Sequence, residues 1–108
     1  MPNPRIMSAQ TGTRAQIRVE GRGTFENAAA FKQAYIQLLG KGAKDFIVDL
    51  GSCEHLDSTF LGIMTGFGLR VQEIAGSTRI IDASNEIVNL FKEIGLDRLF
   101  VLDEPLPE

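Results

Sequence analysis

Cysteine and histidine are nearly missing from this chain: Cys53 and His55 stand alone among 108 residues. A lone cysteine cannot close a disulfide within the chain, which fits a reducing compartment. Cys53 and His55 together make only half of the four-ligand set that a structural zinc ion needs. Cys53 therefore reads as a small buried hydrophobe and His55 as a loop residue. Positive charge is also short, with 11 Lys and Arg against 14 Asp and Glu, a net −3. Proteins that grip nucleic-acid phosphates carry the opposite balance, so no nucleic-acid partner is expected. No apolar run approaches the ~18–20 residues of a bilayer span, so no membrane insertion is expected. The stretch "MPNPRIMSAQ" lacks the basic and apolar regions of a signal peptide. These absences together point to a mature, soluble, cytoplasmic chain, with no internal repeat or low-complexity segment.

What is present is ordinary globular material, 44% hydrophobic and 23% charged. The length suits one domain over residues 1–108, with a core of about 6–102 and Pro-rich, polar ends, "MPNP" and "DEPLPE", that are expected to fray. A chain of this size builds a core without staples.

Periodicity then orders the chain. Residues 6–10 and 15–20 flank "TGT" and read as a hairpin, with Ile17 and Val19 alternating against Arg18 and Glu20. "GRG" is expected to break the second strand. Thr24 is placed to cap a first helix, in which Ala28, Phe31, Tyr35, Leu38 and Leu39 share a face. Gly40 and Gly42 end it. "DFIVDL", residues 45–50, suits a strand buried on both faces. A second helix is predicted from about Ser58 to Ala75, with Phe60, Ile63, Met64, Phe67, Val71 and Ile74 on one stripe. Leu61 and Leu69 fall outside that stripe. Gly62 and Gly66, four residues apart, would let something pack close to the helix backbone, at a cost in propensity of up to ~1 kcal/mol each. "TRIID" at 78–82 is a further strand, and Ser84 caps a third helix with Ile87, Leu90, Phe91 and Ile94 on one face and Gly95 at its end. "LFVL" at 99–102 is a last strand. The order β-β-α-β-α-β-α-β predicts an α/β fold with a mixed, largely parallel sheet of about five strands covered by helices.

Catalytic chemistry finds little support. His55 and Ser58 straddle a strand-to-helix turn with no third feature to complete a nucleophilic triad. "GRGTFEN" carries G-x-G without the third glycine or later acid of a phosphate-binding loop, and reads as a strand-to-helix turn. Glu26, Asp45, Asp49, Asp82 and Asp103 are scattered. A contact module with no cofactor is expected, not an enzyme.

Three stretches, in order over about residues 15–102, carry a resemblance. "FIVDLGSCEHLDSTFLGIM" resembles the central motif of STAS domains of the bacterial anti-sigma factor antagonist type, where a strand ending in Asp-Leu leads through a short loop to Asp-Ser-Ser/Thr-Gly-Leu-Gly at a helix start. "IVNLFKEIGLDRLFVL" is similar to that family's Leu-Phe-x-x-x-Gly-Leu, and "RVEGRGTFENAAAFK" to its strand, glycine and first helix.

The resemblance implies a STAS-like fold and a switch. Antagonists of this family bind an anti-sigma factor that is also a serine kinase; the kinase phosphorylates the serine after the motif Asp, and a phosphatase reverses it. By position the acceptor is Ser58, after Asp57, with Thr59 the lesser candidate. The implied contact face is the turn and helix start Leu56, Asp57, Ser58, Thr59, Phe60 and Leu61, together with Thr24 and Phe25 of the "GRGTF" turn and Leu69. Physics fits such a site, because unpaired N–H groups and partial positive charge at a helix start tolerate phosphate. A charge of −2 held ~6 Å from a partner carboxylate at an effective dielectric of ~40 costs about 3 kcal/mol, roughly a hundredfold in affinity. Asp-Ser-Thr is equally good N-cap chemistry, so a plain helix start is the rival reading. Two positions depart from the family: Phe60 stands where it has Gly, to be read either as core packing or as a lip on the Ser58 site, and Thr24 stands where it often has Asp. A second reading keeps the domain as a non-switching scaffold or a transporter-associated subunit of a larger complex. The pattern specifies no oligomeric state.

Overall fold

In a computed structural model of the protein, residues 5–103 are described; the expected fraying of "MPNP" and of 104–108 lies outside them, whereas Asp103, the first residue of "DEPLPE", is held, its N–H donating to Ile80 C=O at 3.0 Å. The chain begins with a hairpin, β1 (Arg5–Thr11) and β2 (Arg14–Gly23), paired antiparallel from Arg5↔Glu20 to Thr11↔Arg14. Gly12, at φ +61°, is the first central residue of the two-residue turn, where a type II′ geometry asks for glycine. Then follow α1 (Phe25–Gly40), β3 (Asp45–Asp49), β4 (Cys53–Leu56), α2 (Ser58–Glu73), β5 (Ser77–Ile81), α3 (Asn85–Glu93), a 3₁₀ turn (Leu96–Arg98) and β6 (Val101–Leu102).

The sheet runs β1-β2-β3-β5-β6, with β4 alongside the end of β2, so it holds six strands where about five were expected. All pairs except β1·β2 are parallel. From β2 onward the main sheet's strands step in one direction with a helix in each crossover. Right-handed crossovers without a reversal of direction put every helix on the same face.

That topology corrects the reading of "DFIVDL". Phe46 and Val48 point into the helices and are buried, whereas Ile47 points to the face that no described helix covers and is 38% exposed. Leu50 lies past the strand's end, buried in the loop. The same alternation runs through β2, where Ala15, Ile17 and Val19 are buried and Gln16 and Arg18 exposed.

The core between sheet and helices centres on Phe67 of α2. Its ring lies 5.0 Å from those of Tyr35 and Phe46, 5.4 Å from Phe31 and 6.3 Å from Phe100. Phe60, Met64, Phe67 and Val71 of the expected stripe are buried, and Ile63 is half-buried. Ile74 is not: α2 ends at Glu73, so Ile74 sits in the C-cap and faces solvent. Ile94 is exposed for the same reason at the end of α3. Ser84 caps α3 as expected, its hydroxyl oxygen accepting from Ile87 N–H at 3.2 Å. "LFVL" yields strand only at Val101–Leu102, because Leu99 is drawn inward, its carbonyl accepting from buried Thr78 Oγ1 at 2.9 Å.

Candidate functional site

"GRG" does not stop β2. The strand continues through Gly21 and Gly23, shifts register between Gly21 and Arg22, and pairs there with β4, a strand the sequence reading treated as loop. Gly21 N–H donates to Ser52 C=O at 2.9 Å, and Asp57 N–H to Gly23 C=O at 2.8 Å. Gly23 is required by this approach: a Cβ there would lie 2.3 Å from Leu56 Cδ2 and 3.0 Å from the His55 carbonyl oxygen. The end of β2 is thereby clamped against the start of α2.

Asp57 is the N-cap of α2 and closes the clamp. Its Oδ1 accepts from Phe60 N–H at 2.8 Å, the ordinary capping bond. Its Oδ2 accepts from Phe25 N–H, the first residue of α1, at 2.9 Å. One carboxylate thus caps two helices, and it serves the role expected of Thr24. Thr24 holds the N-cap position of α1 in extended geometry, but its hydroxyl makes no cap bond. Buried Asn27, unremarked in the sequence, ties the same corner by donating from Nδ2 to the Arg22 carbonyl.

Ser58 and Thr59 are the first two residues of α2 and both are exposed. Their N–H groups belong to the helix's first turn and have no intrahelical acceptor. The Ser58 side chain therefore stands in solvent at the positive end of α2, next to a carboxylate already engaged by two backbone donors. Beside it Phe25 is 65% exposed.

The other expected contact residues divide. Leu56 and Phe60 are buried, at 5% and 0% exposure, so their side chains belong to the core and cannot meet a partner. Phe60 packs its ring 5.2 Å from that of Phe31; it replaces the motif glycine as a core residue and forms no lip on the Ser58 site. Leu61 is half-buried against the core. Leu69 is 48% exposed, on the outward side of α2 but about 16 Å further along the axis from Ser58, at ~1.5 Å per residue. Between them Gly62 and Gly66 have nothing within 4 Å of a would-be Cβ. The surface brought together is therefore Thr24, Phe25, Asp57, Ser58 and Thr59, extended along α2 by Gly62, Gly66 and Leu69.

Cys53 is buried in β4 with its thiol directed at the His55 carbonyl, 3.4 Å away, and burial pushes its pKa up. His55 is exposed. Among the described residues no group of three or more His, Cys, Asp or Glu could hold a metal ion, and no helix is long and apolar enough to cross a membrane.

A family profile described as Mlab, STAS domain matches residues 6–103. The chain belongs to the STAS domain family. Solved structures agree on the fold of this STAS domain. TM1081 of Thermotoga maritima superposes with a TM-score of 0.83 at 18% identity, over 94% of this chain and 87% of its own. An anti-sigma factor antagonist from Mycobacterium paratuberculosis gives 0.81 at 19%, over 96% and 88%. The Bacillus cell fate determinant SpoIIAA in its phosphorylated form gives 0.74 at 16%, over 94% and 92%. No curated protein sequence shows a significant match.

Proposed function

We propose that this STAS domain is a cytoplasmic antagonist of an anti-sigma factor that is also a serine kinase, and that phosphorylation of Ser58 releases the partner. The observation that carries the reading is the exposed Ser58 at the start of α2, flanked by the doubly engaged Asp57 and exposed Phe25. Docking here places the partner against Phe25, Ser58, Thr59 and the outward side of α2. Aromatic side chains such as Phe25 bury much area on contact. A phosphate at Ser58 meets free N–H groups within its own domain, so the fold tolerates it. Across the interface it faces the partner's charges, and one nearby carboxylate is enough to cost about a hundredfold in affinity. A phosphatase restores binding. Thr59 is one residue further into the helix and is the secondary acceptor.

The test is intact-mass measurement after incubation with ATP and the cognate anti-sigma kinase. One added phosphate on the wild type and none on Ser58→Ala is the expected result. A mass unchanged in the wild type, or an equal gain in both, removes Ser58 from the mechanism.

A second reading keeps the STAS domain as a non-switching scaffold or a transporter-associated subunit of a larger complex. It uses the same exposed surface without modification. Under it a stable complex survives Ser58→Asp, whereas the switching reading expects Ser58→Asp to lose the partner and Ser58→Ala to retain it.

A further inference from the structure

The face of the sheet that no described helix covers carries a cleft of about 400 Å³. It lies over the starting ends of β2, β3 and β5, whereas Ser58 lies beyond the far end of β2, where Asp57 N–H meets Gly23 C=O. Arg14 of β2 stands on one side of the cleft and Ser77 and Arg79 of β5 on the other, with Asp45 and Ile47 of β3 between them. Strand alternation puts all five side chains on this face, because their neighbours Ala15, Phe46, Thr78 and Ile80 are buried under the helices. The volume falls at the low end of small-molecule sites, which span about 300–1,000 Å³.

The backbone under the cleft is tied down. The Thr13 carbonyl accepts from Lys44 N–H at 2.8 Å and from Asp45 N–H at 3.1 Å, and the Lys44 carbonyl accepts from Ser77 N–H at 3.1 Å. Ser77 Oγ donates to Asp45 Oδ1 at 2.8 Å. That bond orients the carboxylate and leaves its Oδ2 without a partner among the described residues. Arg79 already pairs with Asp103. Arg14 does not pair at all. It is the register partner of Asp45, at the ~4.8 Å spacing of neighbouring strands, yet no ion pair joins the two. Among the described residues its guanidinium has no partner. The cleft thus offers one free cation and one half-free carboxylate side by side, next to the exposed side of Ile47.

We propose that this cleft binds a free α-amino acid with an apolar side chain, its carboxylate on the Arg14 guanidinium, its ammonium on Asp45 Oδ2 and its side chain against Ile47. Charge complementarity selects this occupant. A simple anion meets the Asp45 carboxylate, and a simple cation meets Arg14. An uncharged molecule takes water from both charges and gives neither a partner. The spacing selects further. Arg14 and Asp45 are neighbours, so the ligand's two charges must lie close together, as they do on the single α-carbon of an amino acid. A peptide carries its terminal charges further apart. A guanidinium takes a carboxylate through two parallel N–H bonds, and the neutral Arg79–Asp103 pair closes the far side of the cleft without adding net charge. The charged groups are open to water, so the affinity is weak, roughly millimolar. The cleft stands apart from Ser58 and does not rest on the function proposed above.

Amide NMR titration of the chain with L-leucine, up to about 50 mM to bracket weak affinity and at fixed pH and ionic strength, tests this. The comparison probes are 4-methylpentanoate, which lacks the ammonium, and 3-methylbutylamine, which lacks the carboxylate. L-leucine should shift the amides of Arg14, Asp45, Ile47, Ser77 and Arg79 saturably and leave those of Ser58 and Thr59 unmoved. Each half-molecule should bind about tenfold more weakly or worse, because one charge-assisted contact is missing. Arg14→Ala and Asp45→Asn should weaken L-leucine by a similar factor, about tenfold or more. Arg18→Ala, on the same face but outside the cleft, should leave binding unchanged. Arg14 is exposed, and Asn at position 45 keeps an oxygen for Ser77, so both variants should keep the wild-type urea midpoint. No saturable shift with L-leucine overturns the proposal. Equal binding by either half-molecule, or undiminished binding by Arg14→Ala, also overturns it.

Discussion

Replacing Asp57 should cost more than replacing any other helix cap in this domain, because its carboxylate serves two helices. Asp57→Ala removes the bond to Phe60 N–H at 2.8 Å and the bond to Phe25 N–H at 2.9 Å. A single cap is worth about 0.5–2 kcal/mol, typically ~1. Asp57 is only half-buried, so water partly replaces it, and two such bonds amount to about 2 kcal/mol. With a urea slope near ~2 kcal/mol/M, the unfolding midpoint should fall by about 1 M. Two controls set the scale. Ser84→Ala removes one capping bond and should cost ~1 kcal/mol. Thr24→Ala removes none and should cost little, although Thr24 occupies an N-cap position. Asp57→Asn should fall between, because its one carbonyl oxygen keeps one helix while its NH₂ faces the other N–H. Urea titrations of the four variants, with slopes compared, decide the matter. An Asp57→Ala cost no larger than that of Ser84→Ala refutes the double cap, and a full cap's loss on Thr24→Ala contradicts the geometry of α1's start.

Three further outcomes follow from other parts of the same corner. Gly23→Ala should destabilise by about 1–3 kcal/mol, measured by thermal melting, since its Cβ meets Leu56 and the His55 carbonyl at 2.3 and 3.0 Å. Gly62→Ala with Gly66→Ala should do the opposite, stabilising by up to ~1 kcal/mol each because no atom lies within 4 Å, while calorimetry shows weaker binding of the anti-sigma factor. Cys53 has its thiol pKa raised by burial, so the folded chain keeps this proton to higher pH than the unfolded chain. The sign follows: Cys53 contributes full stability below the unfolded thiol pKa and loses it as pH rises through the folded one. Urea midpoints between neutral and alkaline pH should therefore fall less in Cys53→Ala than in the wild type.

Local periodicity revealed much of the architecture. Phe31 and Tyr35 on α1, and Phe60, Met64, Phe67 and Val71 on α2, repeat at helical spacing and form the core as that spacing demands. The hairpin was visible in Gly12, and the third helix in Ser84 and Gly95. What escaped is long-range. "CEHL" has no strand alternation, and β4 exists only because β2 continues past two glycines to meet it. Glycine as a breaker is a local expectation; at Gly23 the close approach of Leu56 overrules it. Ile47 sits in a uniformly apolar run, and only the one-directional strand order shows that no described helix covers the sheet's second face.

The site divides the same way. Ser58 was found from its motif and stands exposed, as a helix start allows. Leu56 and Phe60 were counted with the contact face because they adjoin Ser58 in sequence, although Phe60 was also read on the core stripe of α2; both are buried, and for Phe60 the stripe is the reading that holds. The second bond of Asp57, to a residue 32 positions away, leaves no trace in local spacing.

The most direct test of the central claim is calorimetric titration of the anti-sigma kinase with three forms of the chain: unmodified, phosphorylated at Ser58, and Ser58→Ala. The account predicts equal binding by the unmodified and Ser58→Ala forms and about a hundredfold weaker binding by the phosphorylated form, with unfolding midpoints that agree. Equal affinity for all three forms, or a phosphorylated chain that loses its partner only because it unfolds, contradicts it.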